Sequence, residues 1–166
     1  MPYRNKTYVA FDGDTDITYY YLMLAWRTND NMDFNFHNAH DLNSARDSSK
    51  EESIKAQLRE RMNNTKIFVL LVGKNTRYCT KFVKWEIETA LRKEIPIIVV
   101  NLNGIRYKDS LCPSILDDEL TLHVSFNMKI IQYAIDNWAS SYFSHKTANE
   151  ISSYYYKEST YERLGL

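Results

Sequence analysis

Two uninterrupted apolar runs, Ile67 to Val72 and Ile97 to Val100, punctuate a chain whose other apolar residues recur at strand or helix period. Runs without polar alternation suit strands covered on both faces, as in a parallel sheet. Thr7-Tyr8-Val9-Ala10-Phe11, closed by Asp12-Gly13-Asp14, predicts a first strand and its turn. Asp33 to His37 alternates polar and aromatic and predicts a short second strand, and Thr121 to Phe126 predicts a fifth, nearer the sheet edge. Helices fill the intervals. Asp14 or Thr15 caps one with Ile17, Tyr20, Tyr21 and Leu24 inward. Ser48 with Glu51 and Ser49 with Glu52 have capping-box spacing before Ile54, Leu58 and Met62. Thr80 to Leu91 forms a third helix, and Asn127 caps a fourth carrying Ile130, Ile131, Ala134, Ile135 and Trp138.

Strands alternating with helices predict an α/β fold, a flavodoxin-like doubly wound parallel sheet of five strands in the order 2-1-3-4-5. Residues 1–140 form that domain. Residues 141–166, rich in Tyr, Ser and charge, are expected as a C-terminal extension, helical and docked.

Composition narrows the functional classes. Lysine plus arginine and aspartate plus glutamate number 21 each, so no excess charge favours nucleic acid or an anionic membrane. No apolar run is long enough to span a bilayer, and no signal-like segment follows Met1 to Lys6. The two cysteines, Cys79 and Cys112, have no metal-like spacing. A soluble, reduced, cytoplasmic protein is expected, with no metal and no cofactor.

The third helix carries the candidate chemistry. At about 100° per residue, Val83, Ile87, Ala90 and Leu91 make its core stripe. Glu86 falls just off that stripe, one turn after Phe82, and Glu88 falls on the solvent side. The plain reading of Glu86 is a boundary glutamate paired with a lysine. The sheet predicts more, because ligands bind at the carboxyl ends of strands near the reversal of strand order. The turns there deliver Phe11, Asp12 and Asp14 after strand one, His37 and Asp41 after strand two, Lys74 and Asn75 after strand three, and Asn103 after strand four. Neither a dinucleotide glycine fingerprint nor a P-loop is present. A phospho-receiver would need an aspartate where Gly73 stands and a lysine where Ser125 stands, and a flavodoxin loop would not carry Asp12-Gly13-Asp14. His37 and His40 are close in sequence but make no metal site.

One carboxylate in a cleft suffices for one reaction class. Ordinary glycosides need a second carboxyl to protonate a poor leaving group. The nicotinamide of NAD is already cationic and departs without a proton. Glu86 would hold the ribose hydroxyls and stabilise the oxocarbenium-like centre by charge.

Tyr8-Val9-Ala10-Phe11, Ile67 to Gly73, and Phe82-Val83-Lys84-Trp85-Glu86-Ile87 resemble the TIR-domain family, in particular the TIR-like group that includes the NAD-processing subunit of bacterial Thoeris antiphage defence (ThsB-like). The family's Trp-x-x-x-Glu pattern falls on Phe82 and Glu86, with Phe in place of Trp. Ile97 to Asn103 also resembles that group and puts Asn103 at a position implicated there. The likeness covers residues 5 to 138. It implies cleavage of NAD+ to nicotinamide and an ADP-ribose-derived signal, cyclic or conjugated, that reaches a downstream effector, with Glu86 catalytic. Asn103 and the Phe11/Asp12 turn are then substrate contacts, with Phe82, His37 and Asp41 beside them. NAD+ is the substrate, and self-association is a further expectation. Two alternatives stand beside this reading: a catalytically silent TIR-like interaction module, and an enzyme similar to nucleoside deoxyribosyltransferases.

Overall fold

A computed structural model describes residues 6–29, 35–36 and 51–166. Among them, strands β1 (Lys6–Ala10), β2 (Asn35–Phe36), β3 (Ile67–Val72), β4 (Ile97–Asn101), β5 (Thr121–Ser125) and β6 (Ser153–Tyr155) form one sheet in the order β2-β1-β3-β4-β5-β6. Every pairing is parallel. The order 2-1-3-4-5 is present, extended by a sixth strand. β5 is consequently interior, not near the edge, and all five of its residues are buried.

The apolar runs become the centre of the sheet because both faces are covered. Val9, Val69, Leu71, Ile98, Val100, Leu122 and Val124 face one core. That core is closed by α1 (Ile17–Asn29) and α4 (Met128–Thr147), which add Tyr20, Met23, Ile131, Ile135 and Trp138. Tyr8, Ala10, Phe68, Leu70, Val72, Ile97 and Val99 face the other. There α2 (Glu51–Asn63) contributes Ile54, Leu58 and Met62, and α3 (Val83–Arg92) contributes Val83, Ile87 and Ala90. Residue alternation along each strand thus sorts side chains between two separate cores.

Of the helix starts expected from sequence, that at Asn127 holds, α3 begins at Val83 rather than Thr80, α1 starts late, and the Ser48 and Ser49 caps lie outside the described residues. Asn127 Oδ1 accepts from the Lys129 and Ile130 amides at 2.8 and 3.5 Å, satisfying donors at the start of α4. At α1 the helix starts later than the sequence suggests. Asp12 takes the capping partners of the preceding turn, accepting from the Asp14 amide at 3.1 Å and the Thr15 hydroxyl at 2.7 Å. α1 therefore begins at Ile17, behind Asp16. Its buried stripe is Tyr20 and Met23, and Tyr21, expected inward, is 52% exposed.

The chain beyond Trp138 is more than a docked helix. α4 continues through residue 140 to Thr147, β6 pairs with β5, and a final helix, α5 (Glu158–Arg163), places Tyr161 fully in the first core. No helix among the described residues is long and apolar enough to cross a membrane.

Candidate functional site

Glu86 lies in the first turn of α3, where Val83 and Ile87 turn the helix face toward the sheet. Its side chain is more deeply placed than the border position expected from the helical wheel, with 1% of its surface exposed. The cause is Tyr8 on β1, whose hydroxyl donates to Glu86 Oε2. Tyr8 is itself fixed by stacking on Phe68, 5.6 Å between centroids, on the neighbouring strand. A phenol and a carboxylate separated by 78 residues in sequence are thus joined beneath the sheet.

The remaining candidates divide between the two faces. Phe82 is buried in the same core as Tyr8, with the Lys81 ammonium 5.6 Å above its ring. Phe11 lies in the opposite core, stacked on Tyr20 at 4.9 Å, so its ring is not beside Glu86. Asp12 is buried and engaged in holding its own turn. His37 and Asp41 lie outside the described residues.

Asn103 belongs to a different place. A cavity of about 520 Å³ opens at the carboxyl edge of the sheet, lined by Asp16 and Tyr19 from α1, Gly73 and Asn75 after β3, and Leu102 and Asn103 after β4. Glu86 is not among its lining residues. Asn103 is exposed there, donating to Asp109 Oδ2 at 3.1 Å and accepting from the Ile105 amide at 3.2 Å. The loop bearing it is pinned from below, because the Asn101 amide donates to the Ile105 and Tyr107 carbonyls at 2.9 and 2.8 Å.

Asp16 and Tyr8 are the residues that sequence reasoning missed. Asp16 is 7% exposed, and burial followed by the neighbouring charge of Asp12 pushes its carboxyl above the usual aspartate range. Three aspartates in five residues compete for the capping role in sequence, and only the folded turn separates them. Tyr8 had no sequence signal, since its partner comes from a helix after two crossovers.

Both thiols are unsuited to nucleophilic work. Burial, and Asp12 next, pushes Cys79 up to about 11, and burial raises Cys112 to about 11 as well. Among the described residues, no group of three or more His, Cys, Asp or Glu is arranged to hold a metal ion.

Against known families, residues 8–107 match the model of the family described as Thoeris protein ThsB, TIR-like domain. The matched segment starts at Tyr8 and ends within the loop after β4, so it contains both Glu86 and Asn103. It covers more than half of the chain.

Proposed function

The chain belongs to the TIR-like domain family of the Thoeris protein ThsB, and from that premise we propose that it cleaves NAD+ at the nicotinamide–ribose bond as part of bacterial antiphage defence. The observation that carries this reading is the Glu86 carboxylate, withdrawn from water and oriented by the Tyr8 hydroxyl at the family's Trp-x-x-x-Glu position. A carboxylate in a poorly solvated setting stabilises a nearby cation far better than one in water. In the proposed reaction the C1′–N1 bond breaks and its electron pair goes to the pyridinium nitrogen, which leaves neutral. Positive charge develops at C1′ and O4′, opposite Glu86. Water, or a hydroxyl of the same or a second molecule, then attacks C1′ and loses a proton to solvent. The product is ADP-ribose or a cyclic or conjugated derivative, which would serve as the signal to a downstream effector.

A second reading has its own support. The depth of Glu86 and its absence from the edge cavity suit a silent TIR-like module in which the Tyr8–Glu86 pair is purely architectural. The two readings separate on one experiment. Concentrated protein incubated with NAD+ should release nicotinamide, and Glu86→Gln, which keeps a hydrogen-bonding partner for Tyr8, should lower the rate by about 100-fold or more. Glu88→Gln should leave it within about twofold, because Glu88 takes no part in this pair. Equal rates for the two variants, or no nicotinamide from the wild type with or without an infected-cell extract, would leave the silent module standing.

A further inference from the structure

β6 ends the sheet on its side, and its outer edge pairs with no other strand among the described residues. Its residues, Ser153-Tyr154-Tyr155, include no charge and no proline, and its register with β5 runs unbroken. The usual devices that keep an edge strand from pairing are therefore missing from it. The Thr121 amide donates to the Ser152 carbonyl at 3.1 Å. In a parallel ladder that phase turns the amide and carbonyl of Tyr154 toward β5, and those of Ser153 and Tyr155 outward. The open edge thus presents a donor and an acceptor on each of two residues, spaced two apart.

That spacing is complementary to itself. Two copies of β6 laid antiparallel about a two-fold axis at Tyr154 set Ser153 of each opposite Tyr155 of the other. Both are then hydrogen-bonded pairs, which use every outward group. The side chains agree with the backbone. Tyr154 lies on the face of the first core, 6.0 Å from Trp138, so Ser153 and Tyr155 share the other face. There Tyr107 meets the Tyr155 ring edge-on at 6.3 Å. An open groove of about 410 Å³ is lined by these two rings, Lys108 and Ser153. Opposed residues of an antiparallel pair project to the same face. Tyr155 of a second copy would accordingly lie over the small Ser153 side chain, in the groove beside Tyr107.

Charge fits the same register. It carries the exposed Lys157 of one copy past Ile151 and Glu150 of the other, an ammonium beside a carboxylate. With 21 basic and 21 acidic residues, two copies also meet without net repulsion. An edge of three residues and one groove buries less than the roughly 1,200 Å² at which stable complexes begin, which makes the contact a weak one.

We propose that the β6 edge is the contact between two copies of this chain, a weak two-fold dimer in which one sheet runs through both. This goes beyond the NAD+ reading and stands whether or not NAD+ is cleaved.

The test is sedimentation velocity on the full chain. Between about 5 and 500 µM the average coefficient should rise toward that of a dimer and no further, with a dissociation constant on the order of 10–100 µM. Ser153→Pro removes an outward amide and leaves the groups facing β5 in place, as proline on an edge strand does. Tyr155→Lys sets a charge on the edge and takes the ring from the groove. Each should weaken association about tenfold or more while the melting temperature stays within about 4 °C of the wild type. Tyr155→Phe, which keeps the ring, should dimerise as the wild type does. Lys157→Glu should weaken association by about two- to fivefold, and more so at low salt. The proposal is overturned if the chain stays monomeric at the highest concentration, if its mass grows beyond a dimer, or if Ser153→Pro and Tyr155→Lys dimerise as the wild type does. Should Ser153→Pro fail to fold, the contrast between Tyr155→Lys and Tyr155→Phe decides alone.

Discussion

His123 sits mid-strand in β5 with none of its surface exposed, its Nε2 2.9 Å from Thr121 Oγ1. Burial, reinforced by the charge of Lys108, lowers its pKa from 6.5 to about 4. The folded protein therefore holds a neutral imidazole where the unfolded chain takes up a proton. Stability is complete above pH 6.5 and is lost as the pH falls from 6.5 toward 4, by up to about 3 kcal/mol. Urea midpoints measured across that range should fall for the wild type, and His123→Gln should flatten the slope. At this scale the sequence revealed phase and little else. The helical wheel placed Glu86 near the core and Glu88 away from it. It could not show that Tyr8 would meet Glu86, or that Asp16 and not Asp14 would line a cavity, because those contacts are made across crossovers.

Among the elements, the continuous apolar runs were readable because a strand buried on both faces has no room for a polar residue. β6 was not readable. Ser153–Tyr155 is too short for any periodicity to register, and it exists because β5 offers it an unpaired edge. The same pairing brings α5 against the loop after β4. Arg106 lies 4.1 Å from the Tyr161 ring centroid and 2.6 Å from Glu158 Oε2, so the tail grips the segment that presents Asn103. The exposed ion pair contributes little, and the stacked guanidinium contributes most of the attachment. Arg106→Ala should cost about 1–2 kcal/mol in urea unfolding. In the enzyme reading it should raise KM for NAD+ more than it lowers kcat, since the loop loosens while Glu86 stays in place. Arg106→Lys should restore little, because an ammonium cannot stack as a planar guanidinium does.

For the whole molecule, the alternation of strands and helices was enough to predict the doubly wound order, because short right-handed crossovers leave few other arrangements. Its limit fell at the tail. The family match stops at residue 107, whereas β5, α4, β6 and α5 complete both the sheet and the first core. Tyr161 and the β6 pairing together close that core, so the last eighteen residues are structural and not an appendage. Removal of residues 149–166 should leave protein that is largely insoluble or lacks near-UV circular dichroism, while Gly165→Ala, at a left-handed position with φ 79°, should cost only about 1 kcal/mol.

Because every pairing among the described strands is parallel, no two of them that are neighbours can zip together as a hairpin, and each must wait for a longer connection to be traversed. During synthesis β6 emerges after the other five described strands. Until then β5 presents bare amides and carbonyls to whatever else is in the crowded vicinity. The fold thus carries an interval of vulnerability set by translation speed, and a slow stretch of synthesis between β5 and β6 would lengthen it.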